Sequence, residues 1–125
     1  MTFSEIQRSK KPNNYLLADE TAGAPADGPA LKLNAPEGAV RAAVKKAMAS
    51  EPLVEVLEEA ATAPIWRYVQ RTRLMRFPDD VHFGFDANDS GTTLSVYSAS
   101  RVGYSDMGVN RKRVKRLIGK ITAAI

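Results

Sequence analysis

The sequence has no cysteine and a single histidine, His82, and both facts exclude large classes of chemistry. Without cysteine the chain forms no disulfides, has no thiolate nucleophile and offers no sulfur ligand to zinc or an iron–sulfur cluster. One imidazole also excludes any site that needs a histidine pair. Asp80 lies two positions from His82, but two ligands without an obvious third rarely hold a metal. We therefore predict no metal and no other cofactor.

Long apolar runs are also absent. The first eleven residues lack the apolar centre of a secretory signal, and no run elsewhere approaches the ~20 apolar residues that span a bilayer. Together with the lack of cysteine, this predicts a cytoplasmic protein without a transmembrane segment.

The motifs of common enzyme classes are missing as well. No Gly-x-Ser-x-Gly surrounds any serine, and neither a phosphate-binding loop nor a Gly-x-Gly-x-x-Gly turn is present. Asp79 and Asp80 are adjacent carboxylates, but neighbours in an extended segment point to opposite sides. The structural alternative is that one organises the turn after Pro78 while the other pairs with Arg101. We therefore predict that the chain is not an enzyme by itself.

The positive charge is concentrated at the C-terminal end. The chain has 125 residues, the usual size of one domain, and a net charge of +4. Residues 101–125 carry seven Lys or Arg and one Asp, whereas the segments before them are neutral or acidic. A localised basic surface attracts nucleic acid, an acidic protein face, lipid headgroups or a carboxylated ligand. Charge alone leaves these alternatives open.

The N-terminal part predicts an irregular arm followed by a helix. Residues 1–35 are rich in Pro, Gly, Ala and Asn and show no periodicity, apart from an apolar point at 15–17 where the arm would dock. Asn34, as a capping side chain, and Pro36 predict a helix start there. Apolar residues at helical spacing then continue to about Ser50, where Pro52 ends the helix.

The remaining segment, to residue 125, predicts about four antiparallel strands and a terminal helix. The strand-like runs are Leu53–Glu59, Ile65–Leu74, Val81–Ala87 and Thr93–Ser100. The first run is equally compatible with a helix, and Asn88–Gly91 is the best hairpin signal. From about Met107 an apolar stripe at helical spacing has basic residues on its other sides. The fold expected for residues 36–125 is a single two-layer α+β sandwich.

The most polar stretch runs from Ser98 to Arg116, between the last strand and the terminal helix. Amide donors at the helix start, capped by Ser105 or Asp106, and nearby arginines would suit an anion. In the alternative, Asp106 caps, Arg101 pairs with Asp80 and Tyr104 packs its ring within a purely structural loop. The candidate binding residues are Asp79, Asp80, Arg101, Tyr104, Ser105, Asp106, Asn110, Arg111 and Arg113.

This stretch also carries a family resemblance. Ser-Ala-Ser-Arg-Val-Gly-Tyr-Ser-Asp-Met-Gly-Val-Asn-Arg-Lys-Arg (98–113), preceded by Arg-Phe-Pro-Asp-Asp-Val-His-Phe (76–83), resembles the signature of the domain of unknown function 1499 family. The similarity covers approximately residues 36–123. Pro12–Tyr15 resembles the Pro-Asn-Cys segment of that family with the cysteine missing. Many members carry a membrane anchor or lipoprotein signal, which this chain lacks.

The short form of the chain resembles the BciE type within this family. That resemblance implies an auxiliary subunit of the oxygen-dependent Mg-protoporphyrin IX monomethyl ester cyclase of bacteriochlorophyll synthesis, peripheral to a membrane-bound complex. The di-iron chemistry would then belong to a separate catalytic subunit, the expected protein partner.

Two other functions remain open at this point. One is a module that holds a carboxylated tetrapyrrole through Arg101, Tyr104, Asn110 and Arg111. The other is nucleic-acid binding by the basic helix. We rank nucleic acid last, because the apolar stripe of the helix is needed for the core and no aromatic platform for base stacking is evident.

Overall fold

The computed structural model describes residues 3–23 and 25–125. Its elements are, in chain order, a 3₁₀ turn at Phe3–Glu5, β1 (Asn14–Leu17), β2 (Leu31–Leu33), α1 (Glu37–Ala49), β3 (Val54–Glu58), β4 (Ile65–Arg71), β5 (Pro78–Asn88), β6 (Gly91–Ser100) and α2 (Val109–Ala123).

All six strands form one antiparallel sheet in the order β1-β6-β5-β4-β3, with β2 also paired to β6. Because β5 occupies one edge of β6, β1 and β2 share the other edge. The α+β class with two helices is confirmed. The predicted number of strands was too low by two, since β1 and β2 lie in the segment expected to be an irregular arm.

No helix within residues 3–23 and 25–125 combines the length and the apolar character needed to cross a membrane.

The main core lies between the sheet and the two helices. Alternate residues of β4, β5 and β6 point towards α1 and α2, as the period of two in the sequence predicts. The largest fully buried side chains of this core are Val40, Val44, Met48, Tyr68, Val81, Phe83, Leu94, Val96, Val114, Leu117 and Ile121. Burial of this apolar surface is the main force that holds the helices on the sheet.

The opposite face of the sheet is partly covered by the N-terminal segment. Ile6, Leu16 and Ala18 pack with Tyr97 and Ala99 in a second, smaller core. The Ser9 amide donates to Tyr97 Oη at 2.9 Å. The face of the sheet opposite the helices is therefore in part a second packing surface, which residues that precede α1 form together with β6.

A buried arginine is accommodated in the main core by aromatic rings. The Arg41 guanidinium of α1 lies 4.2 Å from the ring centre of Phe85 and 5.2 Å from that of Trp66. Its Nη2 is 3.5 Å from a Glu37 oxygen, while Nε and Nη1 have no hydrogen-bond partner in the described part of the chain. The aromatic faces supply electrostatic stabilisation in place of those hydrogen bonds.

Several predicted boundaries shift in the structure. The cap position of α1 is Pro36, and no side-chain hydrogen bond caps the helix, so the predicted role of Asn34 is wrong; Ser50 ends the helix as expected. The first run after α1 is the strand β3, not a helix. β4 ends at Arg71, three residues before the predicted end, and β5 already begins at Pro78.

The predicted hairpin between β5 and β6 is confirmed. Asn88 pairs with Gly91, which leaves Asp89 and Ser90 as a two-residue turn. Gly91 has φ = 138°, and a Cβ atom there would come within 2.1 Å of the Leu33 carbonyl oxygen. This position therefore requires glycine for both its conformation and its space.

We predict that β1 contributes substantially to stability although it lies in the N-terminal segment. Leu16 is 2% exposed, so Leu16→Ala should lower the free energy of unfolding by about 2–5 kcal/mol through lost burial and a residual cavity. The matched control is Leu74, which is 89% exposed. Leu74→Ala should change the free energy of unfolding by less than about 0.5 kcal/mol. Urea denaturation measures both. Equal, small effects would show that β1 is not docked in solution.

Candidate functional site

A buried polar cluster lies beneath the start of α2. Gln70 of β4, Asp79 of β5 and Ser98 of β6 occupy positions that face the helices, where the rest of each strand supplies apolar side chains. Asn110 and Arg113 reach them from α2. All five are buried. Polar groups in such a place are stable only when they satisfy one another.

Arg113 is the centre of this cluster. Its Nε donates to Gln70 Oε1 at 2.8 Å, and its Nη1 donates to Asn110 Oδ1 at 2.9 Å and to Ser98 Oγ at 3.2 Å. Its Nη2 lies 2.7 Å from Asp79 Oδ2, and the two side chains are 4% and 2% exposed. The geometry of this last contact is that of an ion pair and not of an aligned hydrogen bond. One guanidinium thus joins α2 to three strands.

Asn110 and Asp106 organise the start of α2. The Asp106 carboxylate accepts hydrogen bonds from the amides of Gly108 (2.8 Å) and Asn110 (3.1 Å). Asn110 Nδ2 donates to Asp106, to Ser100 Oγ and to the Asn13 carbonyl oxygen. The predicted capping by Asp106 is therefore present, although the residue at the cap position is Gly108. These two amide donors, which would have suited an anion, are already engaged.

Glu51, just after α1, ties α2 to the sheet from the other side. It accepts hydrogen bonds from Gln70 (3.0 Å), from Arg116 (2.7 Å) and from Lys120. Burial opposes ionisation of this carboxyl, but the hydrogen bonds from Arg116, Lys120 and Gln70 outweigh burial and lower its pKa to about 2. Glu51 is therefore a charged anchor throughout the neutral range.

The predicted site residues do not form one pocket but separate into groups. Asp79, Asn110 and Arg113 belong to the buried cluster. Asp80 and Arg101 form an ion pair of 2.7 Å on the opposite face of the sheet, as the structural alternative predicts. Asp79 lies inside β5, so its expected role in a turn is wrong.

The other predicted residues lie near the start of α2. Tyr104, Ser105 and Arg111 are exposed. Tyr104 is 69% exposed, so the expected packing of its ring is also wrong. Arg111 has no ion-pair partner in residues 3–23 and 25–125.

Arg111 lines a shallow cleft of about 630 Å³ between the N-terminal segment and α2. The lining residues are Arg8, Lys11, Pro12, Asn14, Tyr15, Asp27, Ser105, Asp106, Gly108 and Arg111. Arg8 is engaged by Asn14, Asp27 and the Pro25 carbonyl oxygen. The charge of the cleft is therefore mixed.

His82 is separated from the serines that could have used it as a base. It pairs in register with Tyr97 on the sheet face opposite Ser98, with the two rings 6.4 Å apart. Burial lowers the pKa of His82. The negative charge of Asp80 acts to raise this pKa, whereas the positive charges of Arg67 and Arg101 lower it further. Within the described residues, no three His, Asp or Glu side chains are placed to hold a metal ion.

Several members of the network were not among the candidate residues predicted from the sequence, namely Gln70, Glu51, Ser98, Lys120 and Asn13. The position of Gln70 indicates that it faces the core, because it follows Trp66 and Tyr68 at the period of two on the core face of β4. The position of Arg113 indicates the same, since it lies four residues before the buried Leu117 on α2. Asn13 contributes only a backbone carbonyl oxygen to Asn110, which residue type does not reveal.

We predict very different costs for neutralising the two adjacent aspartates. Asp79→Asn leaves the buried Arg113 guanidinium without its counterion and should lower the free energy of unfolding by about 3–5 kcal/mol. Asp80→Asn breaks a more exposed pair and should cost at most about 1 kcal/mol. Chemical denaturation of both variants measures the difference, and similar losses would contradict the assigned burial.

We also predict an acid-dependent loss of stability that depends on Glu51. Because its pKa is lowered from 4.5 to about 2 in the folded chain, Glu51 contributes stability above pH 4.5 that is lost as the pH falls towards 2. The contribution should be about 1–2 kcal/mol, since Arg116 and Lys120 are partly exposed. Unfolding at a series of pH values should show a shallower acid decline in Glu51→Gln than in the unaltered chain. An identical decline would refute this assignment.

Comparison with known proteins places the chain in a family. The sequence model of the family described as protein of unknown function (DUF1499) matches residues 6–121. No curated protein matches the chain. The crystal structure of protein CV1439 from Chromobacterium violaceum is similar with a TM-score of 0.47 and 12% identity, over 90% of this chain and 96% of that one. Since the family match extends over most of its length, the chain belongs to the DUF1499 family of proteins of unknown function.

Proposed function

We propose that the chain is a non-catalytic accessory protein that binds an acidic surface of a partner protein through the outer face of α2. We define this outer face by three exposed cations, Arg111, Lys112 and Lys115. The observation that carries the proposal is that these three have no ion-pair partner in the described part of the chain.

The six basic residues of α2 divide into two sets with different surroundings. Arg113 is held by Asp79, and Arg116 and Lys120 are held by Glu51, so these three anchor the helix to the rest of the domain. The outer-face cations have no such ion pairs within the described residues. Arg111 and Lys115 are four residues apart and Lys112 and Lys115 are three apart, so they are neighbours on the helix surface. Like charges at these spacings repel weakly, and an acidic partner would relieve that repulsion.

The geometry favours this function over a carboxylate-binding module built from Arg101, Tyr104, Asn110 and Arg111. Arg101 is engaged by Asp80 on the opposite face of the sheet. Asn110 is fully buried, with its amide group engaged by the cluster. Two of the four residues needed are thus committed elsewhere.

The partner that we propose is the catalytic subunit of the oxygen-dependent Mg-protoporphyrin IX monomethyl ester cyclase. Support for this identity comes from the resemblance of the short chain to the BciE type of the family. In this division the redox chemistry lies in the partner. The present chain supplies a rigid, positively charged helix face that holds or stabilises the partner.

The proposal predicts that reversing two charges on the outer face abolishes capture of the partner. The tagged chain is co-expressed with the cyclase catalytic subunit and recovered in mild detergent. Lys112→Glu combined with Lys115→Glu should reduce the recovered partner at least about tenfold, because like charges would then meet across the interface.

The control is Lys45→Glu combined with Lys46→Glu, which makes the same change of charge on the exposed surface of α1, where Lys45 has one long ion pair, of 3.9 Å, with Glu59. This control should retain the partner. No capture by the unaltered chain, or equal loss in both double variants, would overturn the proposal.

A further inference from the structure

Two loops leave the sheet side by side at the end that carries the polar cluster. They are the β4–β5 loop, residues 72–77, and the β6–α2 loop, residues 101–108. Asp79 pairs in register with Ser100, and the Arg101 amide donates to the Pro78 carbonyl oxygen at 3.1 Å. Adjacent strands lie about 4.8 Å apart, so the loops start as immediate neighbours.

Both loops expose large apolar side chains. In the β4–β5 loop, Leu74 is 89% and Met75 60% exposed, and in the β6–α2 loop Met107 is 88% exposed. The other exposed apolar or aromatic members are Phe77, Val102 and Tyr104. Single exposed apolar residues are common, but a group of six on two neighbouring loops marks an interaction surface.

The β4–β5 loop is held in shape by hydrogen bonds. The Thr72 amide donates to the Phe77 carbonyl oxygen, and the Arg76 amide donates to the Thr72 carbonyl oxygen, both at 3.0 Å. Thr72 Oγ1 accepts from the Phe77 amide, and Arg71 Nη1 donates to the Arg76 carbonyl oxygen. These bonds fix both sides of the tip, so Leu74 and Met75 are presented outward by a preformed loop.

The charge around these apolar tips is positive. Arg73 and Arg76 flank Leu74 and Met75, are exposed, and have no ion-pair partner within the described residues. Three carboxylates nearby are engaged: Asp79 by Arg113, Asp80 by Arg101, and Asp106 by the amides of α2. The exposed Glu55 of β3 also acts on Arg101. Against this one free carboxylate stand the two free cations Arg73 and Arg76, so the balance of free charge beside the tips is cationic, which complements an anionic surface.

We propose that this end of the molecule binds the surface of an anionic lipid bilayer. The apolar tips enter the interfacial region while Arg73 and Arg76 bind lipid phosphates. A bilayer fits these tips better than a protein does, because Leu74 and Met107, one on each loop, are nearly fully exposed. A protein would need matching cavities, whereas lipids rearrange around an inserted side chain. This membrane attachment goes beyond the proposed partner binding and involves different residues.

Vesicle sedimentation tests the proposal with the full chain. The vesicles contain phosphatidylcholine and phosphatidylglycerol in roughly a two-to-one ratio, with pure phosphatidylcholine vesicles for comparison. The unaltered chain should sediment with the anionic vesicles and much less with the neutral ones. Leu74→Ser combined with Met75→Ser should weaken binding at least about tenfold, since two inserted apolar side chains are lost.

Three further variants separate insertion from simple charge attraction. Arg73→Gln combined with Arg76→Gln should weaken binding to anionic vesicles by a similar factor. Val56→Ser combined with Leu57→Ser removes an exposed apolar pair from β3, outside the two loops, and should leave binding unchanged. In a Leu74→Trp variant, the emission should shift to the blue when anionic vesicles are added, while Trp66 is already buried.

The proposal is overturned if the unaltered chain does not sediment with anionic vesicles, or if the Leu74 and Met75 double variant binds as well as the unaltered chain. Its failure is distinguishable from failure of the proposed partner binding. Capture of the partner in detergent depends on Lys112 and Lys115, and it should persist in the Leu74 and Met75 double variant.

Discussion

The ion pair between Arg113 and Asp79 fixes how the terminal helix lies on the sheet. Removing both charges from water is expensive, and the pair is tolerable only because Gln70, Ser98 and Asn110 satisfy the remaining donors of the guanidinium. These groups come from three strands and from α2. A small shift or rotation of the helix would leave several buried polar groups unsatisfied, whereas an apolar contact would tolerate the same shift. The network therefore specifies one position for α2.

That position determines which polar groups remain for binding. On one side of α2, Asn110, Arg113 and Arg116 make contacts within the domain. The amides at the start of the helix donate hydrogen bonds to Asp106. The groups that remain exposed are the cations on the outer face of α2 and the two loops beside it. A surface that is already rigid loses little conformational entropy when it binds. In the proposed function, the most polar part of the sequence would support binding indirectly, by holding other residues in place.

The sequence predicted the parts of the fold that depend on local patterns. The stripe on α2, the alternation in β5 and the hairpin at Asn88–Gly91 are local, and so is the division of Asp79 and Asp80 between two faces. β1 and β2 were missed because they have four and three residues and become strands only by pairing with the free edge of β6.

Arg113 was placed on the surface because its residue type outweighed its position. A buried arginine at a core position of a helix requires a carboxylate from a distant strand, and that partner becomes apparent only when the chain is folded. The loop that exposes Leu74 was not predicted either, because the run Ile65–Leu74 resembles one strand and the sequence does not show that the strand ends at Arg71.

The two proposed surfaces meet at the end of the molecule that carries the two loops, because Arg111 follows closely after the β6–α2 loop. A chain held at a bilayer by its loop tips would meet a membrane-bound partner at a raised effective concentration, so two individually weak contacts would give strong attachment together.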